Sequence, residues 1–221
     1  MKKSLFLIII FVISMIFSVL GQNDSINTLF KKGKTRYSAY YSNNLCISQL
    51  TQNTHLNSGF SFGMIVNRNS FAGIYRANYQ TLFFRNIIDN TEKEPYINEF
   101  SHHGFEYEYV FRPLSLINFG AGIKAGRGKL VLNPHPEHYY SFNQKDNFII
   151  LSPQIFAGIN VTRWMKFRLG FSYRLIQGIE SEIKPWGGGN SVNFQSRDFN
   201  KPEFLFSIVI GGLNDKAFSK K

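Results

Sequence analysis

Two carboxylates, Glu106 and Glu108, are separated by one residue, so an extended strand places both on one face. Paired carboxylates can serve as a general acid and base. Lysines and arginines occupy matching positions in other candidate strands, and buried charges persist only when they are paired. We therefore predict a structural salt-bridge network with no catalytic role. Its predicted members are Arg76, Glu106, Glu108, Lys124, Arg168 and Arg174.

The segment from His135 to His138 contains two imidazoles with the spacing H-x-x-H. A structural zinc ion needs four ligands and a catalytic one usually takes three from the protein. No helix is predicted here to align the side chains. No glycine-rich loop joins a strand to a helix, so a phosphate-binding motif is also missing from the sequence. We predict no metal site and no cofactor.

Glu99, Ser101 and His103 are spaced by two and share one face of an extended strand. An acid, a hydroxyl and an imidazole are the components of an activated serine. Polar residues are equally typical of a strand that leaves a membrane. Their parity predicts a position on the outer, lipid-facing side of the barrel. We therefore assign no catalytic residue.

Alternation with period two is the main pattern of the chain and predicts β-strands. The segment 165–175 shows it most clearly, with apolar residues such as Phe167 and Leu169 opposite Lys166 and Arg168. The predicted strands are 35–42, 60–66, 71–80, 105–112, 117–125, 149–161, 165–175 and 203–210. Short connections at 67–70, 112–115 and 161–164 alternate with longer ones at 43–57, 85–99, 129–147 and 181–200.

The aromatic content indicates which strand face is the outer one. The chain has 23 Phe and 11 Tyr, and an eight-stranded barrel has an interior that side chains only just fill. The aromatic faces therefore fit against lipid, while the small and charged faces fit a crowded lumen. The predicted lipid-facing residues are Tyr75, Phe105, Tyr107, Tyr109, Phe119, Phe167, Phe171, Tyr173, Phe204 and Phe206.

The N-terminus has the order of a secretory signal. Lys2 and Lys3 precede an uncharged apolar run from Leu5 to Leu20, and cleavage is predicted between Gly21 and Gln22. The formal net charge of +11 favours anionic partners such as phosphorylated lipid headgroups. Export makes nucleic acid an unsuitable partner. The single cysteine, Cys46, cannot form an internal disulfide.

Together, the signal, the paired amphipathic strands and turns such as 160–164 resemble the small bacterial outer-membrane β-barrel families. The resemblance implies an all-β, up-and-down antiparallel transmembrane β-barrel of about eight strands, with short periplasmic turns and long extracellular loops. It also implies insertion by the outer-membrane assembly machinery, and lipid and lipopolysaccharide as partners. The predicted segments are a signal peptide at 1–21, a periplasmic segment at 22–34, the barrel at 35–212 and a tail at 213–221.

The expected function is a structural or surface-interaction role in the outer membrane, with a lumen plugged by charged side chains. A narrow channel for small or hydrophobic molecules and an accessory barrel of a secretion or assembly system remain alternatives. A minor alternative is a lipid-modifying hydrolase. The lipid A deacylase family also carries a His and a Ser on the outside of a small barrel, although in the opposite order to Ser101 and His103.

Overall fold

The computed structural model describes residues 36–50, 54–80, 97–133, 144–184 and 191–212. Almost all of these residues lie in β-strands, in keeping with their period-two alternation. The strands are β1 (Tyr37–Gln49), β2 (Thr54–Val66), β3 (Ser70–Gln80), β4 (Ile97–Phe111), β5 (Ile117–Leu132), β6 (Gln144–Asn160), β7 (Met165–Tyr173), β8 (Leu175–Gln177), β9 (Glu180–Ile183), β10 (Val192–Gln195) and β11 (Pro202–Gly211). A single 3₁₀ turn, Ser196–Phe199, precedes β11.

Eight long antiparallel strands close into a barrel, as predicted from the sequence. Each strand from β1 to β6 pairs with the next along the chain, and β11 pairs with both β7 and β1. The short β8 continues the pairing with β6 after β7 ends. Among the described residues, closure pairs each of the eight long strands on both sides, which is what a membrane-spanning sheet requires. Within the described ranges, no helix is long and apolar enough to cross a membrane.

Three short connections lie at one end of the barrel, which we call the turn rim; the opposite end is the loop rim. The turn-rim connections follow β2, β4 and β6. The first is the tightest, because Val66 pairs with Ser70 and leaves three residues between them. Asn67 and Arg68 reach φ values of 51° and 68° there. Asn tolerates this left-handed region better than most residues.

All four predicted connections at the loop rim overlap strands. β4 begins at Ile97, within 85–99, while β5 runs to Leu132 and β6 begins at Gln144, within 129–147. The segment 43–57 was predicted as a long connection, but β1 runs to Gln49 and β2 begins at Thr54. Its inward residues Asn44, Cys46 and Ser48 are small or polar, so the apolar alternation that indicates a strand is weak there. Part of 181–200 forms the β9–β10 hairpin and the 3₁₀ turn.

The face assigned to β3 is also wrong. Tyr75 was predicted to face lipid and Arg76 to face the lumen, but Tyr75 is 4% exposed inside the barrel and Arg76 is exposed outside. Phe71 and Tyr79 are buried on the same face as Tyr75. The lumen accommodates these rings because it supplies partners for them. The Tyr79 hydroxyl donates to Glu203 Oε1 at 2.6 Å, and Phe71 packs against a guanidinium.

The other strands present an apolar outer face, and their inner faces carry charged, polar or small residues together with some buried apolar ones. Large exposed side chains surround the outside, including Phe105 at 74% and Phe119 at 61% exposure. The structure also places the remaining predicted lipid-facing residues on this exterior: Tyr107, Tyr109, Phe167, Phe171, Tyr173, Phe204 and Phe206. Such a contiguous apolar surface suits contact with lipid rather than water.

Candidate functional site

The lumen brings together five of the six residues predicted as a charge network, in two clusters along the barrel. Glu106 and Glu108 point inward from β4, because they alternate with the outward Tyr107 and Tyr109. Lys124 lies on β5 beside them, while Arg168 and Arg174 enter from the β7 side. Arg76, which faces outward, is not part of the network.

The cluster around Glu108 is the one nearer the turn rim. Arg168 Nη1 lies 2.5 Å from Glu108 Oε2, and Gln154 Nε2 donates to Glu108 Oε1 at 2.8 Å. The Arg168 guanidinium also lies between two rings, 4.8 Å from the centroid of Phe71 and 4.5 Å from that of Phe156. The positive charge of the buried Arg168 is therefore stabilised both by the Glu108 carboxylate and by two aromatic faces.

Glu106 is also bound by a residue of β1. The Tyr40 hydroxyl lies beside Gly73 of β3 and donates to Glu106 Oε1 at 2.5 Å, which connects β1 with β4. Lys124 Nζ lies 3.9 Å from Glu106 Oε2 and 5.6 Å from the Tyr75 ring centroid. Tyr75 therefore contributes to the lumenal site that the sequence assigned to Arg76.

A second cluster centres on Glu203 of β11, a residue that is not among the predicted members of the charge network. Arg174 Nη1 donates to Glu203 Oε1 at 3.0 Å, and the Ser172 hydroxyl donates to Glu203 Oε2 at 2.8 Å. Arg174 also donates to the carbonyls of Gln49 and Phe199, at 2.7 and 2.8 Å. The signal for Glu203 was its parity, since it alternates with the outward Phe204 in the last strand.

Apolar side chains lie on both sides of these charged clusters. Near the loop rim, a group of buried residues packs together, with contributions from the β9–β10 hairpin and the 3₁₀ turn: Leu50, Tyr79, Ile97, Phe100, Leu130, Leu132, Phe148, Ile150, Ile176, Ile179, Ile183, Phe194 and Phe199. We call this group the loop-rim core. Near the turn rim, a smaller group, which we call the turn-rim core, comprises Tyr40, Ile65, Phe71, Val110, Phe156 and Val209.

Glycines of β5 make room for two of these rings. Gly120 pairs with Phe156, and Gly128 pairs with Phe148. A Cβ atom at either glycine would collide with the ring of its partner. The rings therefore lie across the β5 backbone and extend into the lumen.

A small cavity with several polar residues in its lining remains between the clusters. Its lining includes Cys46, Asn57, His102, Lys124 and Glu203. Among the described residues, no group of three or more His, Cys, Asp or Glu side chains is arranged to hold a metal ion. The His135–His138 segment lies outside those residues.

The Glu99–Ser101–His103 set lies at the loop-rim end of β4. The Ser101 hydroxyl donates to Glu99 Oε1 at 3.0 Å, and Lys129 Nζ lies 2.8 Å from Glu99 Oε2. Partial burial alone would raise the pKa of Glu99, but the Lys129 and Ser101 contacts and the charge of Arg76 hold the pKa below its usual value. In an activated serine the hydroxyl proton goes to a base, usually an imidazole. Here the Ser101 hydroxyl instead donates a hydrogen bond to Glu99, which is already paired with Lys129.

Comparisons with solved structures show the same fold. Neisserial surface protein A superposes with a TM-score of 0.52 at 11% sequence identity, covering 80% of this chain and 99% of that one. The N-terminal β-barrel domain of Pseudomonas aeruginosa OprF gives 0.51 at 6% identity, with the same coverage of 80% and 99%. No family model and no curated protein matches the sequence. At these identities the likeness shows the fold of a small outer-membrane β-barrel.

Proposed function

We propose that this chain, which has the fold of the small outer-membrane β-barrels, is an exported envelope protein with a closed lumen and a structural or surface-contact role. The observation that carries the proposal is the order of layers inside the barrel. The loop-rim core, the Glu203–Arg174 cluster, the Glu108–Arg168 cluster and the turn-rim core follow one another along the axis.

Energetics favour a lumen that stays closed. Arg174 is 0% exposed and Arg168 is 2% exposed. To open a continuous water path, the barrel would have to break ion pairs and also separate packed rings. Breaking one buried pair costs about 3–5 kcal/mol. Thermal motion of single side chains is therefore insufficient.

Single-channel recording in planar bilayers tests this proposal against the second candidate, a narrow conduit, which the small mid-lumen cavity favours. We expect the purified, heat-modifiable protein to insert without stable conductance steps. A larger barrel of known conductance, inserted under the same conditions, is the positive control. Reproducible steps well above background from the wild-type chain would establish a conduit instead.

The proposal includes a location in the outer membrane, reached after removal of residues 1–21 and by way of the outer-membrane assembly machinery. The intact mass of the folded protein tests the first step, and we expect a chain that begins at Gln22. Depletion of the assembly machinery tests the second, and we expect the heat-modifiable form to disappear. A full-length chain in the folded fraction would contradict cleavage.

We further propose that the role is not enzymatic. The Ser101 hydroxyl donates to Glu99 rather than to an imidazole. Replacing Ser101 with Ala should therefore leave the acyl composition of the membrane lipids unchanged when wild type and variant are expressed at equal levels. A change in lipid acylation that depends on Ser101 would support the hydrolase alternative.

A further inference from the structure

The outer surface of β3, β4 and β5 carries three basic side chains in one row. Arg76 pairs with His103, and His103 pairs with Arg127, so the three face outward side by side across neighbouring strands. All three side chains are exposed. We call Arg76, His103 and Arg127 the cationic row.

On β3, β4 and β5 the cationic row lies at the loop-rim edge of the apolar outer surface, and the exposed Phe60 and Ile149 flank it on β2 and β6. Two residues towards the turn rim, the same strands present Ile74, Phe105 and Ala125 as the neighbouring outward row. Phe105 is 74% exposed and Ile74 is 43% exposed. A cation placed directly beside lipid-facing side chains extends its charged end to the polar interface. The row therefore occupies headgroup depth at the loop-rim side.

Among the described residues, no ion pair neutralises the positive charge of the row. Glu99 is the single carboxylate among the outward described residues of these three strands, and it pairs with Lys129 at 2.8 Å, beyond the row. No carboxylate of the described residues lies within ion-pair distance of Arg76 or Arg127. The row consequently presents two guanidinium groups to whatever lies at the interface.

We propose that the cationic row binds the phosphate group of a phosphorylated saccharolipid, the class to which lipopolysaccharide belongs. Neighbouring strands lie about 4.8 Å apart, so the backbones of Arg76 and Arg127 are separated by about 10 Å. Both side chains can converge on one phosphate, which a guanidinium binds through two parallel hydrogen bonds. Ile74 and Phe105 then contact the acyl chains of the same molecule.

This inference rests on the proposed outer-membrane location and names the lipid contact in more detail. The test compares binding of diphosphorylated lipid A and of its dephosphorylated form to the folded protein in a neutral maltoside detergent, followed by native mass spectrometry. The variant is R76Q/R127Q. The matched control is R112Q/R163Q, which removes two exposed arginines from the connections at the turn rim.

We expect R76Q/R127Q to weaken binding of diphosphorylated lipid A by at least about tenfold, since it removes two charge-assisted phosphate contacts. The control should bind like wild type, and dephosphorylated lipid A should bind weakly to all three proteins. Heat-modifiable migration of each variant checks that the barrel is folded. Should R76Q/R127Q not fold, the single variant R76Q and the lipid comparison on wild type give the answer.

Three results would overturn the inference. One is equal binding of the two lipid A forms to wild type, and another is equal loss of binding in the control variant. The third is displacement of bound lipid A by inorganic phosphate or phosphatidylglycerol at comparable concentration, which would identify a general anion site. None of these results bears on conductance, so the closed-lumen proposal is tested separately.

Discussion

The Glu108–Arg168 ion pair is buried, so water cannot take the place of either side chain when the other is removed. Glu108 is 4% exposed and also accepts from Gln154, while Arg168 is 2% exposed. Removing one partner from such a pair leaves a buried charge uncompensated, which is more costly than removing both. The pair therefore acts as a structural unit of the lumen.

We expect Glu108→Ala to lower the free energy of unfolding by about 3–5 kcal/mol, because it leaves Arg168 charged and unpaired. Glu99→Ala is the matched control on the same strand, since the exposed Glu99–Lys129 pair contributes about 0–1 kcal/mol. Urea titration in lipid vesicles measures both. If the two variants unfold at the same urea concentration, Glu108 does not stabilise Arg168.

Sequence parity was sufficient to predict most of this network. Glu106, Glu108, Lys124, Arg168 and Arg174 each alternate with outward apolar neighbours, and the structure places all five in the lumen. Glu203 shows the same alternation but was not included in the predicted set. Its role depends on which arginine lies opposite it across the lumen. That contact is set by the closed barrel, and sequence spacing does not reveal it.

In strand β3, a turn that is one residue shorter than predicted determines which side chains face the lumen. The sequence indicated a turn at 67–70, which would pair Val66 with Phe71 and place both outward. The structure pairs Val66 with Ser70 and Ile65 with Phe71. Because side chains alternate with period two, a shift of one residue inverts the whole strand. The aromatic side chains of β3 supported the wrong choice, since tyrosines also suit a lumen that contains carboxylates.

Cysteine labelling tests the corrected face of β3. In a Cys46→Ala background, we expect Ile74→Cys to react with a lipid-dissolved maleimide and Tyr75→Cys to be protected, since these residues are 43% and 4% exposed. The protein in vesicles is labelled, and its mass is measured after unfolding. Preferential reaction at position 75 would restore the face predicted from the sequence.

The strands also differ in how visible they are in the sequence. The sequence indicates β7 clearly because large apolar residues alternate with charged or small ones over its whole length. β1 was truncated because its inward residues from Asn44 to Ser48 are small or polar and several outward ones are modest in size. A strand whose two faces both carry polar side chains has little period-two contrast. Its extent becomes evident only from its pairing with β2 and β11.

For the molecule as a whole, the surrounding medium determines how much an exposed apolar side chain contributes to the free energy of unfolding. Leu169 on β7 is 63% exposed and Leu114 in a turn-rim connection is 56% exposed, so the two are nearly equal in geometric exposure. In a soluble barrel both would contact water. In a bilayer Leu169 lies within the apolar belt, between Phe167 and Phe171, whereas Leu114 lies at the rim.

The same change, Leu to Arg, therefore separates these two environments. In lipid vesicles we expect Leu169→Arg to lower the free energy of unfolding by about 2–4 kcal/mol and Leu114→Arg by about 0–1 kcal/mol, because the cost of a lipid-facing charge falls from the midplane to the interface. Urea titration of both variants beside wild type measures the difference. Since the two leucines are almost equally exposed, unequal costs reflect depth in the bilayer and not loss of protein contacts alone. Equal small costs would mean that the belt around β7 does not face lipid.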